Sequence, residues 1–395
     1  NLGGWVEATL PEGAVRDLLA NGVVAGIGGT VIFLPQICLL FLLISLLEST
    51  GYLARAAFVI DRVMRPFGLS GHSFVPLLSS HACALPGIMA CRAIPDRRDR
   101  LATILVAPFM SCSARIPVYV LLVVILFPES PTMQAVAFAG CYIIGALAGL
   151  LSALIARRSF LKGKSSGMAL ELPSYRAPDI ALSLKTSAER GWVFLKKAGT
   201  VILAISILLW WLGAYPNVGP APESEALRTQ AAQVETQQPE RAAELTAEAD
   251  TLDERYATQN SFLGRIGSTI QPVFAPLGYD RQLTIGVMAS FAAREVFATT
   301  MAVQVAGTDE IEDEGVQSAI STAQRDDGTP VFTSATSWSL LIYYILAMQC
   351  LPTLVVTARE AGGTKWAFLQ LAWMSGTAYI SAMIVYQTLR ATGLG

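Results

Sequence analysis

Seven apolar runs, at 23–47, 101–127, 133–156, 199–214, 283–305, 336–357 and 366–388, take up much of this 395-residue chain. About 20 apolar residues cross the hydrocarbon of a bilayer as one helix, and the run at 199–214 reaches that length only with its flanks. Lipid offers no partner to a backbone N–H or C=O, so runs of this kind fold as helices. With 53% apolar and 15% charged residues, the chain is too apolar for a soluble protein of its size. Several runs are interrupted by proline or small residues. The expected class is therefore all-α, a polytopic transmembrane protein containing broken or re-entrant helices.

Charge orients the spans. Residues 157–197 hold nine Lys or Arg against three acids, and Arg92 to Arg100 adds four Arg against two Asp; such loops face the cytoplasm. Residues 215–260 hold nine acids against three bases, and 306–330 seven acids against one base, so both are expected outside. The N-terminal NLGGWVEATLPEGAVRD has neither a basic start nor an apolar core, so it is not read as a cleaved signal. With no initiator Met, the chain is expected to be part of a longer polypeptide whose earlier portion leaves Asn1 outside. At least four of the six cysteines fall in apolar runs, which predicts thiols rather than a disulfide framework.

The chain states one pattern twice. RPFGLSGHSFVPLLSSHACALPGIMA, from Arg65, aligns without gaps on APLGYDRQLTIGVMASFAAREVFATT, from Ala275, at a shift of 210. Cys112 in PFMSC and Cys350 in AMQC align at a shift of 238, each two residues after a methionine and close to a proline. Each half reads as a turn, a broken segment and a cysteine-bearing helix. The first broken segment is approached from inside and the second from outside, so the halves are expected to be inverted. Inverted repeats place a binding site at their interface, and a repeated thiol points to a soft or borderline cation.

Several residues are candidates for that site. In SSHACALPGIMACR, Pro86 is expected to free a carbonyl near Cys83, with His81 beside it. FAAREVFA places Arg294 and Glu295 inside an apolar stretch, where ionisable groups need partners; Arg294 reads as a structural pair and Glu295 also suits a divalent cation. Ser111, Ser113 and Gln349 offer neutral oxygens, and Met110 and Met348 offer thioethers or simply fill space. Glu48 either receives the departing ion or pairs with Arg55. Pro108 and Pro352 mark the breaks at Cys112 and Cys350. The competing reading makes these cysteines small hydrophobes in a helix interface.

GYLARAAFVIDRVMRPFG, SHACALPGIMACR, DRLATILVAPFMSCSARIPVY, LELPSYRAP, PLGYDRQLTIGVMASFAAREV and MQCLPTLVVTARE, in this order, resemble the membrane domain of the ferrous iron transport protein B (FeoB) family. The resemblance spans roughly 20–390. It implies two gate-type inverted repeats that carry Fe2+ into the bacterial cytoplasm, with the family's gate cysteines falling on Cys83, Cys112 and Cys350. It also implies a GTP-binding domain ahead of this chain, where GTP and Mg2+ would bind, and small accessory Feo proteins as partners. No G-x-x-x-x-G-K-[ST] occurs; Gly163-Lys164-Ser165 imitates its end, but Arg158 stands where the first glycine belongs. The family's glycines and asparagine around the first cysteine are replaced here by Ser80, Ala82 and Ala84.

The domain reading is an external segment 1–22, a first gate repeat 23–156, a cytoplasmic basic loop 157–198 and a second gate repeat 199–395 with acidic inserts at 215–260 and 306–330. The first insert reads as two short helices parted near Pro239, and LELPSYRAP as a docking element for the soluble domains. Membrane lipid is the expected surroundings, no nucleic acid is expected, and self-association stays open. Two other functions compete: transport of another divalent metal or a nucleoside-like solute, and an intramembrane enzyme using Cys112 or Cys350 as nucleophile, which needs a base within reach.

Overall fold

The computed structural model describes residues 9–393 apart from Glu12, 163–173, Asn217, 235–237, Ala292, Ala293, Glu295, 307–313 and 326–327. These described residues form helices joined by short turns, with one isolated bridge between Gln324 and Pro330. Arg97–Leu126, Pro131–Ser159, Ser334–Glu360 and Thr364–Ala391 are long and apolar enough to cross a bilayer. Leu34–Ser49 and Tyr52–Phe67 form a fifth, broken unit whose parts meet at 88°. The bend falls at Gly51, whose φ of 78° suits a residue without a Cβ.

Among the described residues, two of the seven apolar runs do not form a single helical unit of spanning length. The 199–214 run gives the helix Thr200–Ala214, which continues Ile180–Phe194 through the π-helical turn Leu195–Gly199 and so reaches spanning length only with its flank. The 283–305 run splits into Arg281–Ala289 and Val296–Ala306, because it contains the second half's break.

The sequence repeat is also a repeat of structure. Tyr52–Met64 leads through the 3-10 turn Arg65–Phe67 to Gly68 at φ 76°; Phe262–Phe274 leads through Ala275–Leu277 to Gly278 at φ 85°. The same backbone bonds close both turns, Gly68 N–H to Arg65 O at 2.9 Å and Gly278 N–H to Ala275 O at 3.0 Å. Both glycines lie under the far end of their repeat's last helix. A Cβ at 68 would sit 2.7 Å from Arg157 Cγ, and one at 278 would strike the Tyr386 ring. Each repeat then continues through a helix, a break and a second helix: Arg97–Val106 to Ile116–Leu126, and Ser334–Leu346 to Leu351–Glu360.

One apolar core runs through both repeats, and polar ties cross between them. Gln370 donates Nε2 to Ile104 O at 2.8 Å and accepts from Thr357 Oγ1 at 2.7 Å. Arg92 Nε donates to Glu360 Oε2 at 2.6 Å, and a second bond makes this pair two-pronged. Asp99 of Arg97–Val106 and Arg157, near the end of Pro131–Ser159, form a buried ion pair at 3.1 Å. Ile143, Leu147 and Leu151 on Pro131–Ser159, and Phe368, Ile380 and Ile384 on Thr364–Ala391, are exposed, as a lipid-facing surface requires.

The acidic insert forms the expected pair of helices, Pro222–Val234 and Pro239–Asn260. Pro239 takes the first helical position, where no N–H is needed. Arg228 meets Asp250 at 2.7 Å and Asp253 at 2.8 Å. The Ser224 hydroxyl, with help from the Ala221 N–H and Arg228, holds the Asp253 carboxyl below its usual range.

Candidate functional site

Three of the six cysteines occupy the same kind of place. Cys83, Cys112 and Cys350 each have extended backbone, with φ/ψ of −155/135°, −98/167° and −162/95°, and each immediately precedes a helix: Ala84–Ala90, the 3-10 turn Ser113–Arg115 and Leu351–Glu360. A helix N-terminus carries the positive end of the peptide dipole, so each sulfur belongs to a residue where negative charge is favoured. None of the six cysteines is disulfide-bonded.

The prolines explain the local geometry. Pro86 is the third residue of Ala84–Ala90 and Pro352 the second of Leu351–Glu360, positions whose N–H groups have no helical acceptor. Pro86 opens a helix after the break instead of interrupting one, and the carbonyl it leaves without a helical donor, Ala82 O, is taken by Ser113. The break itself lies at 81–83, where Phe74–Ser80 ends. Pro108 sits in the 3-10 turn Ala107–Phe109 that ends the preceding helix.

Within each repeat the two broken segments are stitched at the same place. Ser113 N–H donates to Ala82 O at 3.4 Å, its hydroxyl reaches the same carbonyl at 3.0 Å, and Leu351 N–H donates to Phe291 O at 3.2 Å. Two buried arginines occupy carbonyls left by the interrupted helices. Arg115 donates to Phe109 O at 3.1 Å and Pro108 O at 3.0 Å, and Arg294 to Ala347 O at 3.1 Å.

These breaks border a partly open cavity of about 90 Å³. Cys83, Cys112 and Cys350 all border it, with Met110, Ser113, Arg294 and Thr353, and Ile37, Phe194 and Ile202 close its apolar flank. Thr353 Oγ1 donates to Cys350 Sγ at 3.0 Å. Among the described residues no three His, Cys, Asp or Glu side chains converge closely enough to hold one metal ion. The thiols are therefore spread around a chamber.

The sequence matches the Gate family, described as Nucleoside recognition, over residues 30–126 and 195–364, and the family described as Ferrous iron transport protein B C terminus over 138–190. The Fe(2+) transporter FeoB of Leptospira interrogans is 37% identical over 392 residues, covering 98% of this chain and 53% of that protein. That of Staphylococcus aureus is 33% identical over 374 residues, covering 94% and 49%. A protein of Porphyromonas gingivalis named as a fusion of Fe(2+) transport protein A with FeoB is 33% identical over 392 residues, covering 98% and 46%. The chain belongs to the FeoB family. It spans about half the length of these relatives and corresponds to their membrane part. No solved structure matches it.

The FeoB-family chain brings together only some of the expected site residues. Cys83, Cys112, Cys350 and Met110 border the cavity, whereas Met348 and Gln349 are buried away from it. Gln349 Nε2 bonds Ser290 Oγ at 2.9 Å, and Ser111 Oγ lies 3.1 Å from the Tyr119 hydroxyl. His81 is stacked on Tyr142, with Nδ1 3.3 Å from Ser111 O, so it is a packed and hydrogen-bonded ring outside the cavity lining. Glu48 is exposed and off the cavity. Its suggested partner Arg55 lies 3.7 Å from the Tyr175 ring centroid and bonds Gly51 O. Glu295 lies outside the described residues.

Sequence reasoning missed Arg115 and Thr353. Arg115 is wholly buried, and a lone arginine opening an apolar span was a readable signal. Thr353 carries no such mark, since its importance comes only from its distance to Cys350.

Proposed function

We propose that this chain is the conducting membrane core of a ferrous iron transporter, carrying Fe2+ through the cavity bordered by Cys83, Cys112 and Cys350. The single observation behind this reading is that thiols from both halves border one chamber. Sulfur suits a borderline cation better than it suits Mg2+ or Ca2+. The prevalence of neutral and apolar lining disfavours a nucleoside-like cargo, which needs amide and aromatic groups; Phe194 is the one aromatic residue among the described lining residues.

The basic segments at 92–100 and 157–197 support a cytoplasmic placement, with the acidic inserts outside. In that orientation the two repeats are inverted and the route runs inward across the bacterial inner membrane. The chain acts with a GTP-binding domain that binds GTP and Mg2+, and with a small accessory Feo protein. The Porphyromonas relative's name supports the last point. The segment around Tyr175, held on Arg55, is the docking element for the soluble domain.

The test is anaerobic Fe2+ uptake into proteoliposomes containing the chain, comparing the parent with Cys83→Ser, Cys112→Ser and Cys350→Ser, and with uridine as competitor. Each substitution is expected to lower uptake at least about tenfold, with uridine without effect. Uptake unchanged in all three variants would show that the thiols are packing residues, and inhibition by uridine would favour the solute reading.

A further inference from the structure

Arg294 is out of character with the rest of the cavity. It is 4% exposed and borders the same space as the three cysteines. Its Nη2 is held by Ala347 O, while Nε and Nη1 have no hydrogen-bond partner among the described residues. Arg115 approaches the same carbonyl at 3.5 Å, but its guanidinium is occupied by Pro108 and Phe109. Among the described residues no acid is ion-paired with Arg294. A guanidinium stays charged in a protein, so a fixed positive charge adjoins a chamber otherwise made of sulfur, neutral oxygen and hydrocarbon.

Such a charge opposes every cation, and more strongly in a low-dielectric site than in water. What differs between cations is the compensation. A hard, tightly hydrated ion such as Mg2+ gains little from thiols and thioether, while a borderline ion gains bonds to sulfur. The repulsion then sets a threshold that only sulfur-binding ions pass.

We propose that Arg294 is the specificity-determining residue of the cysteine cavity, its positive charge excluding hard divalent cations that cannot recover the cost through sulfur. This inference rests on the metal-transport reading above. It assigns Arg294 a role that hydrogen bonding to Ala347 alone does not require.

The experiment measures anaerobic Fe2+ binding by the detergent-purified chain, with and without about a hundred-fold excess of Mg2+, a concentration that tests softness rather than affinity. In the parent, Mg2+ is expected to leave bound Fe2+ in place. In Arg294→Gln, discrimination is expected to fall at least about tenfold, and in Arg294→Lys to stay within about threefold. Arg294→His supplies the same comparison within one folded protein: discrimination should fall between pH 5.5 and 7.5, as the imidazole loses its charge, while the parent shows no such fall over that range. Unchanged discrimination in Arg294→Gln, equal loss in the Lys and Gln variants, or a His variant that follows the parent with pH each overturns the proposal. A parent that binds and takes up no Fe2+ overturns the transport reading first, and this one with it; Fe2+ uptake with discrimination indifferent to residue 294 overturns this one alone.

Discussion

Gly87→Ala sets two effects of opposite sign against each other. Alanine favours a helix over glycine by up to about 1 kcal/mol, and Gly87 lies within Ala84–Ala90. In this fold, however, a Cβ at 87 would lie 2.7 Å from the Pro76 carbonyl oxygen and 3.0 Å from Ser80 Cβ, and would collide with Ser80 Oγ, where ordinary contact begins at 3.4 Å. The arms Phe74–Ser80 and Ala84–Ala90 must part by roughly 0.7 Å, an overpacking that costs about 1–3 kcal/mol. Ser80 must also leave its 2.8 Å bond to Pro76 O, at about 1 kcal/mol. The clash wins, with a net destabilisation of about 1–3 kcal/mol. Because Cys83 opens the displaced helix, Fe2+ uptake should fall as well. Unfolding of the purified chain in mixed detergent, followed by tryptophan fluorescence, gives the stability. Ser80→Ala in the same molecule should recover about 1 kcal/mol, since the Pro76 oxygen remains. A Gly87→Ala chain as stable as the parent would refute the close packing of the two arms.

Other outcomes follow from the same geometry. Gly278→Ala should cost about 2–4 kcal/mol, from left-handed backbone and the Tyr386 ring, whereas Gly376→Ala, with nothing within 4 Å, should be neutral or stabilising in the same unfolding assay. Arg92→Glu should destabilise the contact with Glu360, and Arg92→Glu with Glu360→Arg should restore it, with a coupling of about 1 kcal/mol by double-mutant cycle. The depressed Asp253 carboxyl contributes stability above the ordinary aspartate value of about 3.9 that is lost as pH falls through its lower folded value. Hydrogen exchange at the Ala221 amide should therefore speed up as pH falls through that range, relative to its intrinsic rate, and Asp253→Asn should remove that step.

The helical class, the repeat and the pairing of Cys112 with Cys350 were legible because each is carried by spacing: apolar run lengths, a recurring Pro-x-Gly turn, and a thiol at the same distance from a break. What spacing cannot carry is which way a residue at a break faces. Met110 and Met348 occupy matching positions, yet one borders the cavity and the other is buried elsewhere. Ser111 and Gln349 likewise end in hydrogen bonds to different partners. Pro86 looked like the breaker because proline removes a donor, but its cost depends on its place in the helix, which only the structure fixes. Run length misled at 283–305 for the same reason, since a break costs no hydrophobicity.

Water can replace a lost backbone hydrogen bond at a protein's surface, but hydrocarbon cannot. The bonds from Ser113 to Ala82 and from Leu351 to Phe291 are consequently rivets: pulling the two broken segments of one repeat apart would strand amide and carbonyl with nothing to take their place. Each repeat should travel as a stiff half-shell. The seam between them is crossed by side-chain ties from Arg92, Gln370 and Arg115, which can rotate and re-form. Widening of the chamber is thereby confined to that seam, so the cysteines of the two halves would separate as a hinge opens while the spacing between Cys83 and Cys112 stays constant.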